Sequence, residues 1–154
     1  MNAYQKQFDM RQKTPAYWHS KSHELLVAAR IIWKAMRENS GIECWATYKM
    51  LTGMSFELLF KAHCVGAGIK YANTHDLVML ARTANFSTSN EESGILKVLS
   101  EYIIWDGKYP TPKEAKYLES HWKNEGNVLN DALDFENLIP IWRKYSDLFM
   151  EKYN

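Results

Sequence analysis

Apolar residues recur along the chain at the spacing of helices, and this pattern predicts an all-α protein. In the first clear case Leu25, Ala29, Ile32 and Met36 follow at steps of four, three and four, the stripe of an amphipathic helix. This stripe predicts a helix from about residue 20 to residue 38. The same spacing predicts further helices over residues 43–65, 75–84, 90–105, 113–124 and about 137–150. No stretch alternates with the period of two that is typical of a strand.

Capping residues and prolines set the predicted ends of the central helices. Thr74 can accept a hydrogen bond from an N–H group of a following first turn, and Ser89 with Glu92 has the spacing of a capping box. The helix that starts there is expected to end at Gly107. The following segment KYPTP (108–112) must be extended, because each proline disfavours the α region for the residue before it.

The remaining chain adds an N-terminal arm but no second domain. Residues 1–18 are polar and aromatic, and Pro15 is expected to stop an early helix from continuing through them. No repeat, low-complexity tract or linker divides the chain, so residues 1–154 are predicted to form one domain. The sequence therefore predicts an up-and-down bundle of four to five main helices, with shorter helices between them.

The segment 43–65 is predicted to be the central helix, because apolar residues occupy more than one of its faces. Leu58 is assigned to its buried side, where it is expected to meet Leu99 of the 90–105 helix. Pro140 near the start of the last helix is compatible with a start near Asn137 and predicts a kink if the helix starts at Asp134.

Composition narrows the possible classes of function. The net charge is +1, so any nucleic-acid site has to be a local patch. Aromatic residues make up 14% of the chain, which indicates either a ring-packed core or an adhesive interface. Two cysteines, Cys44 and Cys64, suit a reducing compartment. With no apolar signal segment and no apolar run of membrane-spanning length, the sequence predicts a cytoplasmic protein without a membrane partner.

Known short motifs give little chemistry. No phosphate-binding or dinucleotide glycine pattern and no nucleophile signature is present, so no cofactor is predicted. His19 and His23 could face one metal ion, but no third ligand has a suitable spacing, and a polar helix start is the simpler interpretation. The basic residues Arg30, Lys34 and Arg37 repeat on one helix face, which is interpreted as a solvated surface rather than a phosphate track.

A charged pair in the central helix is the main candidate for a site. Glu57 and Lys61 lie in an apolar stretch, where their desolvation is costly without further polar partners. Those partners are expected from the two helix breaks. The candidate ligand-binding cluster is Glu57, Lys61, His75, Asp76, Lys108 and Tyr109. Two interpretations remain open: a pocket in which the two lysines hold phosphate, or a buried network that only fixes the order of the helices.

Three of these segments, in this order, resemble the HEPN family of all-α domains. The resembling positions are Glu57 with Lys61-Ala62, His75-Asp76-Leu77, and Lys108-Tyr109-Pro110, and they span roughly residues 48–113. The resemblance implies an up-and-down helical bundle that commonly forms a homodimer. HEPN members include nucleotide-binding domains and metal-independent endoribonucleases of toxin–antitoxin, phage-defence and RNA-processing systems.

The chain departs from the ribonuclease members of that family. Their catalytic signature is an arginine followed, after four to six residues, by a histidine, and no arginine here has a histidine at that spacing. Arg11 and His19, with seven residues between them, come nearest. We therefore expect a binding or regulatory module for a nucleotide or RNA, without ribonuclease activity. The alternatives are an endoribonuclease whose arginine and histidine come from separate segments or subunits, and a protein-interaction scaffold.

Overall fold

The computed structural model describes residues 1–153, and these residues contain helices and no strand. The helices are α1 Ala3–Lys13, α2 Pro15–Glu38, α3 Trp45–Ala67, α4 Leu77–Thr83, α5 Asn90–Glu101, α6 Ala115–Gly126 and α7 Phe135–Tyr153, and α5 continues into a π-helical turn, Tyr102–Asp106. The predicted all-α bundle is confirmed. No helix of residues 1–153 is both long enough and apolar enough to cross a lipid bilayer.

Four long elements, α2, α3, α5 with its π turn, and α7, form an up-and-down bundle. The Ser22 hydroxyl donates to the Ser55 carbonyl, and the ring of Trp33 contacts that of Tyr48, so α2 and α3 are antiparallel. Helix α7 packs beside α2, where Trp142 Nε1 donates to the Ser22 hydroxyl at 3.1 Å. The short helices pack against this frame, α4 against both α3 and α5, and α6 against α5.

Helix α3 lies at the centre of the bundle, as its apolar faces predicted. It packs against α2, α4, α5, the π turn and α7. Tyr48, Phe56 and Leu59 have no exposed surface. The assignment of Leu58 to the core was wrong, because this residue is partly exposed and faces the start of α2 and α1. The next residue, Leu59, is the one that is fully buried in the core.

The N-terminal arm is helical, and its helix ends before Pro15, as the proline predicted. The Asn2 side chain caps α1 by accepting a hydrogen bond from the N–H of Gln5 at 2.8 Å. Pro15 is the first residue of α2, where a missing N–H group leaves no hydrogen bond unmade. The proline therefore separates two helices. No residue of α1 is buried.

The capping predictions are confirmed at one helix and corrected at another. Ser89 accepts a hydrogen bond from the Glu92 N–H at 3.1 Å and begins α5. At α4 the cap is Asp76, whose Oδ1 accepts from the Met79 N–H at 3.1 Å. Thr74 instead accepts from the Asp76 N–H and shapes the loop before the helix. A carboxylate at the N-cap also interacts favourably with the helix dipole.

The end of α5 differs most from the regular helix that was predicted. In the turn Tyr102–Asp106 a backbone hydrogen bond reaches back five residues instead of four, and the Gly107 N–H donates to the Tyr102 carbonyl at 2.8 Å. This five-residue step is the hydrogen bond of a π-helix, a feature that is frequent at functional sites. Tyr102, Ile103 and Trp105 are all buried in this one turn.

Candidate functional site

Three of the six candidate residues form one closed network. Lys61 Nζ donates to Glu57 Oε2 at 3.0 Å, and His75 Nδ1 lies 2.6 Å from Glu57 Oε1. The ammonium group of Lys61 also lies 5.5 Å from the ring centre of Tyr71. Glu57 and Lys61 are buried. Because each buried charge has partners inside the fold, the geometry of this group is that of a structural network.

The side chains of the other three candidate residues do not join this network, so the six do not form a single cluster. Asp76 follows His75 in the chain, but its carboxylate caps α4. No hydrogen bond or ion pair among residues 1–153 joins Lys108 or Tyr109 to the network. The reason is the direction of α5, which runs antiparallel to α3 and takes Gly107 to Met50. Lys61 is eleven residues further along α3, roughly 16 Å at the rise of an α-helix.

A second polar network, centred on His121 of α6, was not foreseen. His121 Nδ1 lies 3.1 Å from Glu101 Oε2, and Nε2 lies 2.7 Å from Asp106 Oδ2. Burial lowers the pKa of His121, but hydrogen bonds to the two carboxylates and the charge of Glu125 outweigh it, so the pKa lies above its usual value. With a carboxylate at each ring nitrogen, the imidazolium form donates two hydrogen bonds.

The π-helical turn explains why this network is invisible in the sequence. Glu101 and Asp106 are five residues apart, a spacing that does not place two side chains on one face of a regular α-helix. The extra residue of the π turn brings both carboxylates to His121. The ring of Trp105 covers the same histidine, with centroids 5.2 Å apart. Within residues 1–153 no three His, Cys, Asp or Glu side chains are arranged to hold a metal ion.

A groove between α2 and α7 brings together basic side chains from distant parts of the sequence. His23, Val27 and Arg30 lie on one face of α2, because they are separated by four and three residues. Arg143 of α7 lines the opposite wall. Leu26 and Trp142 are buried beneath them. The groove encloses about 330 Å³.

The groove has an excess of positive charge. Arg30, Arg143 and His23 are exposed, and none of them belongs to an ion pair among residues 1–153. Glu136 is the acidic residue in the lining, and its Oε1 already accepts a hydrogen bond from Trp33 Nε1 at 3.1 Å. His19, one turn before His23, is held separately by Ser146 at 2.8 Å.

The basic row of α2 continues from this groove. Lys34 and Arg37 follow Arg30 at steps of four and three, so all three lie on the same face as His23. Lys34 is 3.9 Å from Glu38, and both side chains are exposed, a pairing that water screens strongly. The guanidinium of Arg37 lies 5.5 Å from the ring centre of Trp33. The sequence showed this row, but the position of Arg143 opposite it depends on how the helices pack.

A separate cavity of about 380 Å³ lies between the π turn, the proline segment and α6. Its lining includes Tyr109, one of the six candidate residues. Most of its wall is apolar, from residues that were not singled out in the sequence. They are Ile104, Trp105, Pro112 and Tyr117, with Glu101, Thr111, Lys113 and Ser120 as the polar members.

Comparison with protein-family models, with curated proteins and with solved structures finds no match to this chain.

Proposed function

We propose that this chain is a HEPN-like binding module that holds the phosphates of RNA, or of a nucleotide, in the groove between α2 and α7. The observation that supports the proposal is the convergence of Arg30, Arg143 and His23 on one groove without acidic partners for the arginines. Guanidinium groups present several N–H donors in a plane that matches phosphate oxygens. The resemblance of the central segments to HEPN domains agrees with this class of ligand.

The length of the basic row favours RNA over a single nucleotide. From Arg30 the row passes to Lys34 and Arg37, seven residues along α2, which is roughly 10 Å of helix. A row of this length can follow successive phosphates of one strand. The apolar floor, Leu26 and Trp142, lowers the local dielectric and strengthens each charged contact above it.

A metal-independent endoribonuclease is the second candidate, and His23 favours it. In this groove His23 of α2 lies with Arg143 of α7. A catalytic histidine and arginine would then come from two helices instead of one sequence motif. His23 could accept the proton of a 2′-hydroxyl as its oxygen bonds to the phosphorus, while Arg143 stabilises the charge that develops on the phosphate. The bond from phosphorus to the 5′-oxygen of the next nucleotide breaks, and this oxygen takes a proton from water. Because both side chains are exposed, RNA can reach them.

The proposal includes two further expectations. The chain acts in the cytoplasm, where its two free cysteines would stay reduced. It forms a homodimer in which α1 is part of the interface. Helix α1 exposes Tyr4 and Phe8 and buries none of its residues, and a helix of this length is marginal in water by itself. A second copy would cover this apolar face.

The groove is tested by titrating the purified protein with a fluorescent single-stranded RNA at several salt concentrations. Each phosphate contact changes the slope of log affinity against log salt by about 0.7 for a single strand. We expect Arg30→Ala and Arg143→Ala each to weaken binding and to reduce the slope by about that amount. Arg82→Ala, which removes one exposed charge on α4, is the matched control and should change neither quantity.

The same RNA, incubated with excess chelator and resolved on a gel, separates the two candidates. An endoribonuclease would cleave it, and His23→Ala would abolish cleavage while His75→Ala would not. Intact RNA with salt-dependent binding indicates the binding module. The groove proposal fails if the wild-type protein does not bind RNA at micromolar concentration, or if Arg82→Ala weakens binding as much as Arg143→Ala.

A further inference from the structure

The cavity beside the π turn is lined by residues that suit a flat aromatic ligand. Tyr109 and Tyr117 are 60% and 46% exposed, and they border the opening together with Ile104 and Pro112. The volume of about 380 Å³ lies within the range of small-ligand sites. Exposed tyrosine rings are platforms on which a nucleobase can stack.

A carboxylate is fixed in the same wall. Glu101 lines the cavity, and its side chain is 16% exposed. Its Oε1 accepts from Asn124 Nδ2 at 2.8 Å, and its Oε2 lies 3.1 Å from His121 Nδ1. These bonds come from α6 and hold the carboxylate in one orientation. Each carboxylate oxygen can accept a second hydrogen bond, so Glu101 can still receive two donors from a ligand.

Positive charge is present on the lining as well. Lys113 borders the cavity and has no ion pair among residues 1–153. Lys116 Nζ lies 5.1 Å from the ring centre of Tyr117 and is shared with Glu114 at 3.4 Å. A ligand that suits these groups has a flat ring, adjacent N–H donors on one edge, and an anionic group.

We propose that this cavity binds a guanine nucleotide, with the base stacked on Tyr109 and Tyr117 and its donor edge on Glu101. Guanine presents its ring N–H beside its amino group, and these two parallel donors match a carboxylate. Adenine and cytosine offer one amino group next to an acceptor, which a carboxylate repels. Lys113 takes the phosphate. The site shares no residue with the groove between α2 and α7, so it stands or falls independently of the function proposed for that groove.

The test is calorimetric titration of the full chain with GMP, AMP and ribose 5-phosphate. GMP is expected to bind at least about fivefold more tightly than AMP, and ribose 5-phosphate not measurably. Tyr109→Ala should weaken GMP binding at least about fivefold, the lower end of what one base stack is worth. Tyr4→Ala, an exposed tyrosine of α1, is the matched control and should bind GMP as the wild type does. Glu101→Gln should remove the preference for GMP over AMP.

Four results overturn the proposal. These are no binding of GMP at millimolar concentration, equal affinity for GMP and AMP, equal affinity for ribose 5-phosphate, and unchanged GMP binding in Tyr109→Ala. Since Tyr109 is largely exposed, its substitution leaves the fold intact, and the Tyr109 result decides the matter even if Glu101→Gln does not fold. Loss of RNA binding in Arg143→Ala with GMP binding retained would show that the two sites are separate.

Discussion

His121 shows how a single side chain ties α6 to the bundle. It is 1% exposed, and its two ring nitrogens contact Glu101 and Asp106 on the preceding long element. The two contacts hold α6 against the bundle, and their strength depends on whether the imidazole of His121 is protonated. Removing the histidine would take the cation away from two partly buried carboxylates, which is costly.

We predict that this link makes stability depend on pH. The pKa of His121 is raised in the folded protein, so its contribution is fully present below the unfolded value near 6.5 and is lost as pH rises through the higher folded value. His19 and His63 have lowered pKa values, chiefly because of burial, and they act in the opposite sense below neutrality.

The difference between wild type and His121→Asn isolates this contribution. Measured by denaturant unfolding, the difference in free energy should be largest near pH 5.5 and shrink above pH 7. A difference that is constant from pH 5.5 to pH 8.5 would show that the pKa of His121 is not raised by folding. The other histidines remain in both proteins, so their titration cancels in the comparison.

At the scale of residues, local pairs could be predicted from the sequence and distant ones could not. Glu57 and Lys61 are four apart on one helix, and their contact follows from helical geometry alone. Arg143 meets Arg30 only because α7 packs beside α2. The positive charge of the groove comes from one face of α2 and one face of α7 together. Each helix face taken alone has the pattern of an ordinary solvated surface.

At the scale of elements, the junction of the π turn with α3 leaves no room for a side chain at Gly107. A Cβ atom there would clash with Met50 Cβ, and the backbone of Gly107 itself is in a common conformation, with φ −76°. Glycine is therefore required here by the close approach of the Met50 side chain and not by its φ angle.

Substitution of this glycine gives a direct test of the packing. Gly107→Ala should lower the free energy of unfolding by about 1–3 kcal/mol, the usual cost of overpacking. Gly126→Ala is the matched control, because a Cβ there would meet nothing within 4 Å, and it should leave stability unchanged or slightly higher. Denaturant melts compare the two variants. Equal stability of both would mean that α3 and the π turn are not in close contact.

Elements with a regular period were predicted well, and the two exceptions have definite physical causes. The extent of α3 and its burial follow from its apolar faces. Helix α1 was missed because its sequence has no apolar stripe to bury, so only the Asn2 cap indicated it. The π turn was missed because a period of 3.6 was assumed to continue to Trp105, and an inserted residue leaves no mark in composition.

For the whole molecule, the exposed apolar face of α1 predicts association of two copies. We predict a dimer for the wild-type protein by light scattering at tens of micromolar. Phe8→Glu should yield a monomer with unchanged helix content, because a charge on the exposed face of α1 opposes its burial against a second copy. Trp122→Glu, an exposed aromatic of α6, is the control and should remain a dimer. A monomeric wild-type protein would exclude the interface.

The π-helical turn makes the cavity sensitive to insertions and deletions as well as to substitutions. A π turn is an α-helix that has gained one residue, and successive residues of a helix rotate by about 100°. Deleting one residue from Tyr102–Asp106 would restore a regular helix and swing the following chain by that angle. Tyr109 and Pro112 would then turn away from α6. The shape of this wall is therefore encoded in the number of residues as well as in their identity.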